Sequence, residues 1–206
     1  MKVIILPVGQ MGTNCYLIED NGDVGIIDPG DSGDFIIRKI QDLEATPVWV
    51  AATHGHFDHL VSVSEIALTY EIPFYLNSRD EFLLKHAKQT AEYFLGIPAD
   101  PILVEPKRFP QKEISVGNID LQIIEIPGHT PGSVCLYSIK EKVLFCGDLI
   151  FTGGGIGRTD FKYCSDEDLK KSIKKILKLP EDVVIYPGHG EETSVMQARI
   201  ELKGII

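Results

Sequence analysis

The sequence predicts an α/β fold in which two mixed β-sheets face each other with helices on the outside. Three observations carry that prediction. Short β-branched runs alternate with segments of helical periodicity, the order of strands followed by helices occurs twice, and no long linker or low-complexity tract interrupts the chain. At 206 residues the chain can bury one substantial core, so a single domain spanning residues 1–206 is expected.

The elements follow in order. "KVIIL", "NCYLIE" and "VGIID" are strands separated by Gly, Asn and Asp, the pattern of a meander. "GDFIIRKIQDLEA" brings Phe35, Ile36, Ile40 and Leu43 onto one helical face. "VWVAAT" is a strand that ends at a histidine cluster, "LVSVSEIALTYE" a helix and "PFYL" a strand. Residues 78–96 are helical in character, with Asp80 and Glu81 near the start, and the prolines at 98, 101, 106 and 110 make 97–112 a surface connection. "LQIIEIP", "SVCLYS" and "KVLFCGD" form a second set of strands. "SDEDLKKSIKKILKL" is an amphipathic helix, acidic in its first turn and lysine-rich later, as the helix dipole favours. "VVIYPGHG" is the last strand, running into a turn, and "TSVMQARIELKG" the last helix.

Composition narrows the function classes. Hydrophobic residues make up 44% and charged residues 24%, ordinary for a soluble globular domain of enzyme size. No apolar run approaches the roughly 20 residues that span a bilayer, and "MKVIILPVGQ" is too short for a signal-peptide core, so a cytoplasmic location is expected. Thirty acidic against 20 basic residues give a formal charge of −10, which opposes nucleic acid and anionic lipid as partners. A small anionic substrate stays compatible with that charge, because a metal site reverses the local field. Cys15, Cys135, Cys146 and Cys164 are widely spaced, form no C-x-x-C pair, and read as free thiols, the first three within strands.

The chemistry lies at strand ends. "THGHFDHL" (53–60) holds three of the six histidines, beside a carboxylate. "VWVAAT" leads into His54, "LQIIEIPG" into His129, "VLFCG" into Asp148 and "VVIYPG" into His189, so each candidate follows a buried strand on a rigid scaffold. Glycines at 128, 147 and 188 allow close backbone approach beside a crowded site. A lone histidine after a strand is usually a hydrogen-bonded residue of no special role. His54, His56, His59, His129 and His189 together with Asp58 and Asp148 are another matter, since such a cluster is costly to bury without a metal or hydrogen-bond partners. Imidazole and carboxylate donors favour zinc, iron or manganese over calcium or magnesium. Seven donors exceed the needs of one ion that keeps an open position, and fit two ions about 3.5–4 Å apart sharing a carboxylate and a hydroxide. His86, alone on a helix, is expected to be structural or solvent-facing.

"THGHFDH" matches the T-H-x-H-x-D-H signature of the metallo-β-lactamase fold superfamily. "PGHTPGSV" (127–134), "FCGDLIF" (145–151) and "YPGHGEET" (186–193) resemble its downstream motifs, in the usual order and over nearly the whole chain. The branch it resembles is that of the short bacterial glyoxalase II-like (hydroxyacylglutathione hydrolase-like) enzymes, to which "QMGTNCYLIED" and "GIGRTDF" are also similar. The resemblance implies a four-layer αββα sandwich. It implies that His54, His56 and His129 hold one metal, that Asp58, His59 and His189 hold a second, and that Asp148 bridges them. Asp28 in "IIDPGD" would orient ligands from behind, although an Asp before Pro-Gly is also a plain turn former. Asp58 and Asp148 would be the catalytic carboxylates, Asp58 orienting the hydroxide or taking up a proton.

The implied reaction is hydrolysis of a thioester or related ester by a hydroxide shared between two divalent ions, zinc first and iron or manganese as alternatives. The substrate would be a small molecule such as an S-2-hydroxyacylglutathione or another thiol conjugate. Arg158 falls where the family has a basic residue for the glutathione glycine carboxylate, yet Asp160 stands two positions later in place of an aromatic, and Arg158 could equally pair with it. Ser62-Val63 replaces the usual Gly-Gly, "FTGGGIGR" is one residue longer than the short-type pattern, and the C-terminal glutathione-binding region of long-type enzymes is expected to be missing after His189. Three alternatives stay open: a persulfide dioxygenase with one iron, a lactone or phosphodiester hydrolase, and an inactive metal-stabilised scaffold. The Gly-Glu of "PGHGEET" argues against the first, whose motif continues Asp-Tyr, and complete ligand retention argues against the last. Oligomeric state is not legible in the sequence.

Overall fold

Period-two alternation sends neighbouring strand residues into different cores. In β2 (Thr13–Asp20), Cys15 and Leu17 enter one apolar cluster while Tyr16 and Ile18 enter another. The same split occurs in β9 (Val143–Gly147), where Phe145 faces one way and Leu144 and Cys146 the other. A strand buried on both faces needs a layer on each side, and two such sheets stacked together give four layers.

The computed structural model describes residues 1–98 and 100–206. With β2 and β9 run β1 (Lys2–Val8), β3 (Asp23–Ile27), β4 (Thr46–Ala51), β5 (Phe74–Tyr75), β6 (Glu113–Val116), β7 (Ile119–Glu125) and β8 (Val134–Ser138). The later strands are β10 (Ile150–Phe151), β11 (Gly155–Ile156), β12 (Val184–Pro187) and β13 (Thr193–Ser194). The first sheet has the order β1-β2-β3-β4-β5, antiparallel through β3 and parallel beyond it. The second has the order β13-β12-β9-β8-β7-β6, with one parallel pair, β9 and β12. Both sheets are mixed, as expected.

Between the sheets lie Tyr16, Ile18, Ile27, Trp49, Leu136 and Phe145. Trp49 crosses from the first sheet, and its Nε1 donates to the Ser115 carbonyl at 2.6 Å. Gly25 makes room for that ring: a Cβ there would sit 2.3 Å from it. Outside the first sheet, α1 (Gly33–Asp42) and α2 (Val63–Tyr70) bury Ile36, Ile40, Val63 and Ile66. Outside the second, two later helices, Asp166–Ile176 and Val195–Glu201, bury Leu169, Ile173, Ile176 and Val195. The order is the αββα sandwich expected above.

Some local expectations change. Residues 78–96 are not one helix but a single turn at Ser78–Asp80, then α3 (Glu81–Leu84) and α4 (Ala87–Leu95), broken at the exposed His86. The remaining helices are therefore α5 (Asp166–Ile176) and α6 (Val195–Glu201). The 97–112 connection is irregular apart from a bridge between Tyr75 and Lys107, with Ala99 outside the described residues. All four cysteines are free, three of them buried. Among the described residues no helix is long and apolar enough to cross a membrane.

Candidate metal centre

Four strands deliver the donors to one end of the sandwich. β4 runs through Ala52 and Thr53 to His54, a single turn at Phe57–His59 presents Asp58 and His59, and β7, β9 and β12 lead to His129, Asp148 and His189. Two glycines are required by the crowding around Asp148. A Cβ on Gly147, whose φ is +51°, would lie 2.4 Å from Thr53 Oγ1, and one on Gly188 would lie 2.2 Å from Asp148 Oδ1.

The structure brings all seven predicted donors together. His56 Nδ1 stands 3.1 Å from His54 Nε2 and 2.9 Å from His129 Nε2. On the other side, Asp58 Oδ2 is 3.3 Å from His189 Nε2 and 3.6 Å from His59 Nε2. Asp148 lies between the two sets. Its Oδ2 is 3.5 Å from His129 Nε2, while its Oδ1 is 3.6 Å from His59 Nε2 and 3.7 Å from His189 Nε2. Each set gathers its donor atoms within 4.8 Å.

The protonation of these rings follows from what their outer nitrogens touch. His129 Nδ1 faces the Arg158 carbonyl at 2.9 Å and His189 Nδ1 the Met11 carbonyl at 3.2 Å, so both nitrogens must donate. His59 Nδ1 lies 3.0 Å from Asp28 Oδ2, again an acceptor. The Thr53 hydroxyl donates its one proton to Asp28 Oδ2 at 2.8 Å, so it accepts from His54 Nδ1 at 3.1 Å. His56 Nε2 meets the Tyr163 hydroxyl at 2.9 Å, which fits either role. The Nε2 atoms of His54, His59, His129 and His189 therefore turn inward, those of His59, His129 and His189 toward Asp58 and Asp148. His59 Nε2 and Asp148 Oδ1 are buried with no hydrogen-bond partner, an arrangement that is costly unless cations fill it. The donor set fits divalent metal, and the outer contacts are those that fix metal-ligating imidazoles.

Electrostatics agree. Burial and the neighbouring imidazoles push His54 down, and the same two causes take His56 to about 3, so both rings are neutral. Burial opposes charge on His59 as well, but Asp58, Asp28 and Asp148 outweigh it and raise the ring to about 10, so its Nε2 carries a proton that a cation held here would displace. Burial alone would raise Asp58, yet His59 and His189 hold it below the usual carboxylate range. The field at the second set is strongly negative.

The family model described as Metallo-beta-lactamase superfamily matches residues 8–189. The chain belongs to the metallo-β-lactamase superfamily. A hydroxyacylglutathione hydrolase, GloC, of Haemophilus influenzae is 33% identical over 204 residues, covering 97% of this chain and 95% of that one. Among solved structures, the BLEG-1 B3 metallo-β-lactamase is similar at a TM-score of 0.89 and 32% identity, covering 97% of both chains. A di-iron-bound form of TTHA1623 is similar at 0.90 and 28%, covering 99% of this chain and 100% of that one.

Sequence reasoning missed several residues of this superfamily site. Asp80, fully buried, accepts from Gly55 N at 2.8 Å, Gly132 N at 2.7 Å and Thr130 Oγ1 at 2.6 Å, tying the His54–His56 loop to the His129 loop. Burial raises its pKa, against the pull of those three donors. Thr53 and Tyr163 were missed as well. Asn14 and Tyr16 secure the His189 loop, with Asn14 Nδ2 donating to the Pro187 and Gly190 carbonyls and Tyr16 Oη to that of Pro187 at 2.5 Å. They lie in "QMGTNCYLIED", which gives that stretch a physical role.

Asp28 does more than turn the chain. It also accepts from Thr53 N at 2.6 Å, and it holds φ at +50°, a region that Asp tolerates better than most residues. Arg158 lines the same cleft as the donors, where its guanidinium pairs with Asp160. Ser62 and Val63 are buried at the start of α2, with Ser62 N donating to the Gly30 carbonyl at 2.6 Å, and neither lines the cleft over the metal centre. In the lengthened loop, Gly153 N and Gly154 N donate to Glu201 Oε2 at 3.0 and 3.1 Å, which fastens it to α6.

Proposed function

We propose that this chain is a binuclear metallohydrolase that cleaves thioesters, with the glyoxalase II reaction, S-2-hydroxyacylglutathione to glutathione and a 2-hydroxy acid, as the reference case. The observation that carries the reading is Asp148, whose two oxygens face two separate sets of imidazole nitrogens. His54, His56 and His129 would hold one divalent ion, Asp58, His59 and His189 the other, with Asp148 shared. The GloC relative supports the substrate class. The donor set suits zinc, and iron or manganese equally by ligand type.

When bound, such ions supply a water acidified to about pKa 7 and Lewis acidity toward a carbonyl oxygen. The chain supplies the rest. Asp58, ionised and on the floor of the cleft, orients the attacking water. Phe57, Phe94 and Phe161 wall the approach and keep other water from the carbonyl. The new C–O bond forms as the C–S bond breaks, and the thiolate leaves as a soft anion.

The test is to strip the protein of metal, reload it with zinc, iron or manganese, count ions per chain, and compare two reactions. Two ions and hydrolysis of S-lactoylglutathione are expected. One iron per chain with oxygen uptake on glutathione persulfide would replace this reading by the dioxygenase.

A further inference from the structure

The thiol half of a substrate must pass a rim formed by Met11, Phe57, Thr90, Phe94, Arg158 and Phe161, above a floor formed by the metal centre. The cleft holds about 80 Å³. Apart from the donor residues on the floor, Arg158 is the one charged group among the residues that line it.

That charge is already engaged. Arg158 Nε and Nη2 each donate to an oxygen of Asp160 at 2.6 Å, in the forked geometry that suits a guanidinium and a carboxylate. The guanidinium also lies 4.5 Å from the Phe161 ring centre and 5.7 Å from that of Phe94. Phe161 stacks on Tyr163 at 5.3 Å, and Tyr163 bonds His56, so an aromatic wall runs unbroken from the rim to a candidate metal ligand. A carboxylate arriving at Arg158 would meet a guanidinium whose charge is already offset by the exposed carboxylate of Asp160.

We propose that Asp160 sets the specificity of this site: by pairing with Arg158 it leaves the rim without net charge, so that thioesters of small uncharged thiols are taken in preference to thioesters of carboxylate-bearing thiols such as glutathione. This rests on the thioesterase reading above. It makes Asp160 a specificity-determining residue that acts through Arg158.

The experiment compares kcat/KM of the metal-loaded protein for two substrates with the same acyl group, S-lactoyl-N-acetylcysteamine and S-lactoylglutathione. The neutral thioester is expected to be the better substrate of the unmodified chain. Asp160→Asn should raise kcat/KM for S-lactoylglutathione roughly five-fold, the effect of one charge at water-like screening, through KM. It should change the neutral substrate less than about two-fold, and the gain should shrink in high salt. Arg158→Gln, which leaves the Asp160 carboxylate unpaired, should lower kcat/KM for S-lactoylglutathione by a similar factor and leave the neutral substrate nearly unchanged. A preference of the unmodified chain for S-lactoylglutathione, or a response to Asp160→Asn that is equal for both substrates, overturns the proposal. Absence of turnover on both thioesters sinks the thioesterase reading itself and this inference with it, an outcome distinct from a wrong preference.

Discussion

The metal centre has two walls of different construction. The inner wall consists of buried groups at strand ends, chiefly Asp28 and Thr53, and its contacts dictate which nitrogen of a ring carries a proton. The outer wall consists of α4 and the 157–163 loop, and it presents partly exposed aromatics and an exposed ion pair to the approaching substrate. An exposed pair contributes about 0–1 kcal/mol, whereas orphaning a buried charged partner costs about 3–5 kcal/mol. Under the proposed function, the inner wall is expected to govern metal and fold, and the outer wall which substrates are used.

Asp28→Asn is the sharpest way to break the inner wall, because the shape is kept and only the hydrogen-bond roles change. The amide Nδ2 would face His59 Nδ1 and Thr53 Oγ1 where a carboxylate oxygen now accepts from Thr53 and lies 3.0 Å from the His59 nitrogen. His59 then turns a lone pair outward and carries its proton on Nε2, toward the metal position. Loss of such an outer partner costs about ten- to a hundred-fold in metal affinity. The expected result is a folded protein that loses metal to a chelator at concentrations the unmodified chain withstands, with turnover falling in proportion. Metal retention equal to that of the unmodified chain would mean that Asp28 is only a turn former.

A smaller effect on the metal, and a larger one on the fold, is expected from Asp80→Ala. It leaves Gly55 N, Gly132 N and Thr130 Oγ1 without their acceptor, and each buried orphan costs about 1–3 kcal/mol. A loss of about 3 kcal/mol would lower the unfolding midpoint by roughly 6–12 °C in a chain of this size. Metal affinity should fall less than ten-fold, because the His54, His56 and His129 rings keep their own outer contacts. A midpoint within 2 °C of the unmodified chain, read by thermal unfolding of the metal-free form, would show that other contacts hold the two loops together.

The two walls also differ in how far they could be read from residues alone. Strands buried on both faces announce themselves as unbroken apolar runs, and their ends, marked by Gly before His or Asp, locate the donors. β6 gives no such signal, since Glu113–Val116 alternates exposed and buried in only four residues, and β10, β11 and β13 have two residues each. Asp80 and Tyr163 are single residues in irregular segments. Their partners lie 25 to 107 positions away in sequence, so neither spacing nor periodicity marks them. Arg158 and Asp160 are close enough in sequence to suggest a pair, but the aromatic stack that holds the guanidinium appears only once Phe94 of α4 is brought over the loop.

Tyr163 is where the outer wall touches the inner centre, and Tyr163→Phe measures how much that contact matters. The ring stays, so its stacking on Phe161 and its packing against Phe82 are retained while the bond to His56 Nε2 is lost. Both His56 and Tyr163 are only partly buried, so water can replace the hydroxyl, and a replaced hydrogen bond costs much less than an orphaned one. The expected result is a two- to five-fold loss of metal affinity, an unfolding midpoint unchanged within about 1 °C, and a loss in kcat/KM common to neutral and anionic thioesters. That uniformity separates it from Asp160→Asn, which should act on the anionic substrate alone. An effect as large as that of Asp28→Asn would erase the division between the two walls, because the loop that reads the substrate would then also be fixing the charge state of the centre.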